Sequence, residues 1–136
     1  MQYIIIYVHD TAAAPYAVQI VNGLKTIETR ARDTLRRFIG CRVLIARTRS
    51  GHAAEIIGAV NIDRGAFCSA EMLDSMRDLT RIPAGSAYDC RGPGKYCYSL
   101  SRPAALKNPV KLSDLHVVKR SRVYAIINTD RAIISE

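Results

Sequence analysis

Residues 15–30, PYAVQIVNGLKTIETR, constrain the fold more than any other stretch, because they join a helix to a strand through one forced turn. Pro15 suits a first helical position, where its missing N–H would have no partner in any case. Tyr16, Ile20 and Leu24 recur every four residues with Ala17 and Val21 beside them, so the helix has one apolar face. Asn22-Gly23 tolerates positive φ, which ends the helix and turns the chain. Residues 25–30, KTIETR, then alternate. In a regular strand Ile27 points to the core while Thr26, Glu28 and Arg30 share the opposite face. Lys25, at the turn, reaches either way. The charged trio Lys25, Glu28 and Arg30 has two readings: a solvated edge whose Glu28–Arg30 pair is worth ~0–1 kcal/mol, or the lining of a cleft.

The pattern Pro15-Tyr16 followed by Gly23-x-Lys25-x-x-Glu28-x-Arg30 resembles the signature of the ASCH domain family, a branch of the PUA-like β-barrels. In that family a helix after the first strand leads into a G-x-K-x-x-E-x-R turn that lines a cleft. Tyr16 stands where the family usually has Trp. Residues 43–46, 57–60 and 96–100 and the basic C-terminal strands fit the same plan, so the resemblance spans nearly the whole chain. It implies an α+β fold: a PUA-like small β-barrel of about six strands with two to three short helices, in a single domain over residues 1–136.

The resemblance also implies a function facing RNA or a nucleotide-like ligand. Glu28 would accept from an exocyclic amine, as carboxylates do with cytosine. Lys25 and Arg30 would hold a phosphate or a base carbonyl, with Thr26 on the same face. Tyr16 and Tyr98 would offer a stacking wall, and Arg32, just past the motif, would track phosphates. Some bacterial relatives are amidohydrolases acting on acetylated cytidine and others are ribonucleases; in an enzyme Lys25 and Glu28 would be the catalytic pair. The amidohydrolases use a Lys and a Thr in this turn with a Glu elsewhere. Here Glu28 occupies the position of that Thr, and a carboxylate does not replace a hydroxyl that attacks an amide.

Charge placement supports a polyanion partner independently. The net charge is +8, and Arg outnumbers Lys fifteen to five. Residues 25–49 carry eight basic and two acidic side chains, and residues 91–131 carry nine and two. Between them, residues 50–90 carry three basic and six acidic ones. Two basic blocks around an acidic middle predict a fold with one positive side, which attracts nucleic acid first. The excess of Arg favours planar, bidentate contacts to phosphates and bases.

Other function classes recede. Cys41, Cys68, Cys90 and Cys97 form no C-x-x-C pair, and His9, His52 and His116 are scattered, so neither a metal site nor a cofactor is expected. Cys41 and Cys97 lie in apolar runs and read as small core residues; Cys90, in a polar stretch, reads as exposed. No apolar run approaches the ~20 residues of a membrane span. The opening MQYIIIYVHD lacks a basic n-region and a small-residue cleavage site, so a cytoplasmic location is expected.

Along the chain, residues 3–8 read as the first strand, ending at His9, with Thr11 or a neighbour capping the helix. Residues 31–39 predict one or two helical turns that bury Leu35 and Phe38. Residues 41–46 read as an interior strand, and 54–62 as a strand bent at Gly58 before a turn at Arg64-Gly65. Residues 69–79 predict a helix with Ser69 as N-cap and Met72, Leu73, Met76 and Leu79 as its apolar stripe. Residues 82–95 are the most loop-like and suit a rim beside a cleft. Residues 96–100 alternate as a strand with Tyr96 and Tyr98 on one face, 103–111 read as a connector, and 116–119 and 122–127 as closing strands.

Overall fold

The computed structural model describes residues 1–134. Seven strands form one sheet: β1 (Gln2–His9), β2 (Ile27–Arg30), β3 (Arg42–Arg49), β4 (His52–Ser69), β5 (Gly94–Lys111), β6 (His116–Arg120) and β7 (Tyr124–Asn128). Short helices α1 (Tyr16–Val21), α2 (Ala70–Ser75) and α3 (Arg77–Thr80) punctuate them, with 3-10 turns at Arg36–Phe38 and Leu112–Asp114. The strand order is β2-β5-β4-β3-β1-β7-β6. β1 and β3 run parallel, and every other neighbouring pair is antiparallel. The expected barrel of about six strands is therefore corrected to an open sheet of seven, with β2 and β6 at its edges. None of the helices among the described residues is long and apolar enough to cross a membrane.

The inner strands read as continuous apolar runs because both of their faces are covered. In β1, Ile6 and Val8 enter one core cluster, while Ile5 enters the other with Tyr3 and Tyr7 packed against it. β3 divides likewise, Val43 and Ile45 to the first cluster and Leu44 and Ala46 to the second. Each fully buried isoleucine or leucine contributes about 1.5–3 kcal/mol, so this two-sided burial fixes the centre of the sheet. α1 lies over the first cluster with Tyr16, Ala17, Ile20 and Val21 buried. Leu24 falls beyond the helix and is exposed, because Gly23 at φ +79° has already turned the chain. Pro15 stands at the N-cap, one position before its expected place. The helix start is tied by Asp10, not by Thr11: Asp10 Oδ1 accepts from the Ala17 N–H at 2.7 Å.

The long antiparallel pair of β4 and β5 is the largest departure from the expected pattern. Arg64-Gly65 does not turn; β4 runs through both to Ser69. Gly65 pairs with Tyr98, and a Cβ there would lie 3.0 Å from the Tyr98 ring and from Ile39, so this glycine makes room for an aromatic side chain. Residues 103–111 are strand and not a connector. Pro103 is tolerated because it sits in a register shift, between the Ala59–Ala104 and Asn61–Ser101 pairs, where no ladder N–H is required. Gly58 does mark a close approach: a Cβ there would meet Ala104 O at 2.2 Å and Val21 Cγ1 at 2.6 Å.

The expected helix over 69–79 is two short helices broken at Met76. Ser69 caps the first, accepting from the Met72 N–H at 3.1 Å. Only Leu73 of the proposed stripe is buried, with Met76 partly buried beside it; Met72 and Leu79 are exposed at 50% and 39%. Cys68, Leu73 and Cys97 form a small third cluster, with Cys90 half-buried against it.

Candidate nucleic-acid interface

The charged turn faces a hollow. β2 is an edge strand paired only with β5, Glu28 opposite Tyr98 and Arg30 opposite Tyr96. Its alternation sends Ile27 toward the cysteine cluster, while Glu28 and Arg30 line a cavity of about 260 Å³ on the other side. That volume lies just below the range of drug-sized ligand pockets, roughly 300–1,000 Å³. Besides the motif residues, β1 (Tyr7, His9), α1 (Tyr16), β3 (Thr48), the 82–93 loop (Tyr88) and the turn before β7 (Arg122) contribute to its wall.

Glu28 is the hub of the motif. Its Oε2 accepts from Arg30 Nη2 at 3.0 Å and Nε at 3.2 Å, and its Oε1 accepts from the Thr29 N–H at 3.1 Å. Lys25 Nζ stands 3.7 Å from the same Oε1. Burial alone would raise the Glu28 pKa, but the Arg30 and Lys25 charges and these hydrogen bonds outweigh it and hold the carboxyl below its usual range. Arg30 is fixed at its far end as well, since Nη2 also donates to the Tyr7 carbonyl at 2.8 Å. Glu28 is therefore an ionised orienting group with three of its roughly four acceptor positions filled.

Lys25 is the more exceptional residue. Only 2% of it is exposed, and its ammonium donates to a single carbonyl, that of Thr80 at 2.5 Å. Burial lowers its pKa, against the opposing pull of Glu28. An ammonium has three donors; with the Thr80 carbonyl and the Glu28 ion pair each taking one, a third remains for a partner in the cavity. Tyr16 adds a second unmet group: its ring lies 5.4 Å from Lys25 Nζ, and its buried hydroxyl has no hydrogen-bond partner among the described residues. Such groups cost about 1–3 kcal/mol each when nothing pairs with them.

The remaining wall is held in place by ring contacts and hydrogen bonds. Tyr88, 41% exposed, meets Tyr16 edge-on at 5.8 Å, and its carbonyl accepts from Lys95 Nζ at 2.9 Å. Its loop is pinned by Arg77, which donates to the Ile82 carbonyl and to both carboxylate oxygens of Asp89. His9 Nδ1 lies 2.9 Å from Thr48 Oγ1, which ties the end of β1 to β3. Three cations, Lys25, Arg30 and Arg122, face the cavity against the one carboxylate of Glu28.

Of the residues singled out from sequence, Tyr16, Lys25, Glu28 and Arg30 line this cavity. Three do not. Thr26 is spent on backbone pairing, its N–H to the Leu79 carbonyl and its carbonyl to the Leu100 N–H. Arg32 is exposed outside the cavity wall. Tyr98 is a correction: it is fully buried, its hydroxyl donates to Asp33 Oδ1 at 2.6 Å and accepts from the Leu35 N–H, and burial with the Asp33 bond pushes its pKa up to about 12. It organises the 31–38 segment and has no free face for a base. Tyr88, Thr48 and Arg122 were missed. An aromatic residue inside a Gly/Pro/Ser-rich rim was the available signal for Tyr88, whereas nothing local marks Thr48 or Arg122.

No family model matches the sequence, and no curated protein matches it. Solved structures do. The crystal structure of an ASCH protein from Zymomonas mobilis aligns with 82% of this chain and 74% of its own, at TM-score 0.65 and 18% identity. A serine-to-alanine mutant of that protein aligns over 82% and 75% at TM-score 0.65 and 21% identity, and a tyrosine-to-phenylalanine mutant over 82% and 76% at 0.64 and 20%. With the likeness spread over four-fifths of the chain at such low identity, what is shared is the backbone architecture: this chain has the fold of an ASCH domain.

Proposed function

We propose that the domain binds RNA or a nucleotide, taking a nucleobase or phosphate-bearing group into the cavity lined by the G-x-K-x-x-E-x-R turn. The observation that carries this reading is the Lys25 ammonium, buried at a cavity wall with three donors against one hydrogen bond, to Thr80, and one ion pair, to Glu28. A ligand carbonyl or phosphate oxygen entering there would fill the remaining donor, with Arg30 as a second cation nearby. The last acceptor position of Glu28 suits an exocyclic amine, and Tyr88 offers a partly exposed ring for stacking. Acceptors beside a donor amine describe a base edge better than they describe a simple anion.

Hydrolysis is the second reading, favoured by one observation: burial shifts the Lys25 amine toward its neutral, proton-accepting form. Glu28 argues the other way, because a carboxyl held low by two cations is a weak general base at neutral pH. Titrating the protein with cytidine-type nucleosides and with a short single-stranded RNA, while assaying for released product, separates the readings. Saturable binding without product, weakened at least tenfold in Lys25→Met and Arg30→Gln, is expected of the binding domain. Product that disappears in Lys25→Met and Glu28→Gln would make it an enzyme, and no binding of any of these ligands at low salt would remove both.

A further inference from the structure

A second group of cations continues from one wall of the cavity. Arg122, exposed in the turn between β6 and β7, lines the cavity itself. That turn is docked on the cavity wall through the Tyr7 N–H, which donates to the Val123 carbonyl at 3.2 Å. Two residues on, the Tyr124 ring packs edge-on against Phe38 at 5.0 Å and carries two cations: Arg37 Cζ at 4.8 Å and Lys119 Nζ at 5.8 Å from its centroid. Arg37 also lies 5.3 Å from the Phe38 ring. Both cations come from segments distant in sequence, the 3-10 turn and the end of β6, yet meet over one ring.

Seating over aromatic rings distinguishes Arg37 among the described arginines; the lack of a carboxylate partner does not by itself, since Arg32, Arg64 and Arg91 share it. Arg36, Arg47, Arg49 and Arg77 each pair with a carboxylate. Among the described residues Arg37, Lys119 and Arg122 have no such ion pair. A cation resting on an aromatic face is positioned while its outward N–H donors stay available. Positioned, unneutralised cations beside a base-sized cavity are the arrangement that follows a sugar–phosphate backbone while a base is held apart.

We infer that Arg122, Arg37 and Lys119 form a phosphate track leading away from the cavity, so that the ligand is a nucleotide carried on a single-stranded phosphodiester chain and not a free nucleoside. This rests on the reading that the cavity takes a base. The test compares a short single-stranded RNA with the corresponding free nucleoside, on wild-type protein, on Arg37→Gln/Lys119→Gln, and on Arg37→Lys/Lys119→Arg. The neutralised variant is expected to bind the RNA at least tenfold more weakly and the nucleoside unchanged. Its slope of log affinity on log salt should fall by about 1.4, at roughly 0.7 per lost phosphate contact; the charge-conserving variant should keep the wild-type slope. Unchanged RNA affinity and slope with nucleoside binding intact would overturn the track and leave the cavity reading standing. Equal losses for RNA and nucleoside would also overturn it, by showing that the pair supports the fold. Wild-type protein that binds neither the RNA nor the nucleoside would remove the cavity reading, and the track as stated with it.

Discussion

Glu28 is charged because its neighbours are. Its carboxylate serves Arg30 and the Thr29 N–H directly and faces Lys25 across 3.7 Å. Removing one member of a buried ionic group leaves the others uncompensated, which typically costs 3–5 kcal/mol. Glu28→Gln, which keeps the shape and removes the charge, should therefore destabilise by about 3–5 kcal/mol in denaturant unfolding. The pH dependence follows from the direction of the shift. Glu28 has a folded pKa below its unfolded one, so the unfolded chain binds the proton more readily on acidification. The stabilisation is complete above about pH 4.3, the unfolded value, and is lost as pH falls through the lower folded value. Stability measured from pH 6 down to 2 should decline more steeply in wild type than in Glu28→Gln; parallel curves would mean that Glu28 titrates as it does in the unfolded chain.

The elements were legible where their pattern is local. Alternation in 25–30, a period-2 signal over six residues, placed Glu28 and Arg30 on one face, and Asn22-Gly23 placed the turn before them. Ser69 as a cap and Gly58 as a close approach were legible for the same reason. Tyr98 was not. Alternation tells which residues share a face, but not that the 31–38 segment folds over this one and captures the hydroxyl. Arg64-Gly65 misled because a glycine that admits a cross-strand ring carries the same local signature as a turn. Gly58 gives the element-scale prediction. A methyl group there strikes a backbone oxygen and Val21, so α1 must lift from β4. Gly58→Ala should lower the denaturant midpoint by an amount corresponding to about 1–3 kcal/mol. It should also weaken ligand binding, because α1 carries Tyr16. Stability equal to wild type would mean that the helix does not press on the sheet at this point.

At the scale of the molecule, the site is assembled from parts that no local pattern connects. The sheet order brings the end of β1, the edge strand β2 and the turn before β7 around one hollow, so Tyr7, Arg30 and Arg122 meet although 115 positions separate the first from the last. Two basic blocks in the sequence showed where cations are dense, but not that some of them are held by carboxylates and others over rings. What unites the hollow is unmet hydrogen-bonding capacity, and Tyr16→Phe isolates it. The substitution removes one buried hydroxyl that has no partner among the described residues and leaves the ring packing in place. A thermal melt and a titration with single-stranded RNA on the same variant ask whether that hydroxyl serves the fold or a ligand. A Tm equal to or above wild type, with affinity lowered about 2–10-fold, the loss of one hydrogen bond of ~0.5–1.5 kcal/mol, is the predicted pair of results. Unaltered affinity at unaltered Tm would contradict the claim that a ligand group occupies this cavity.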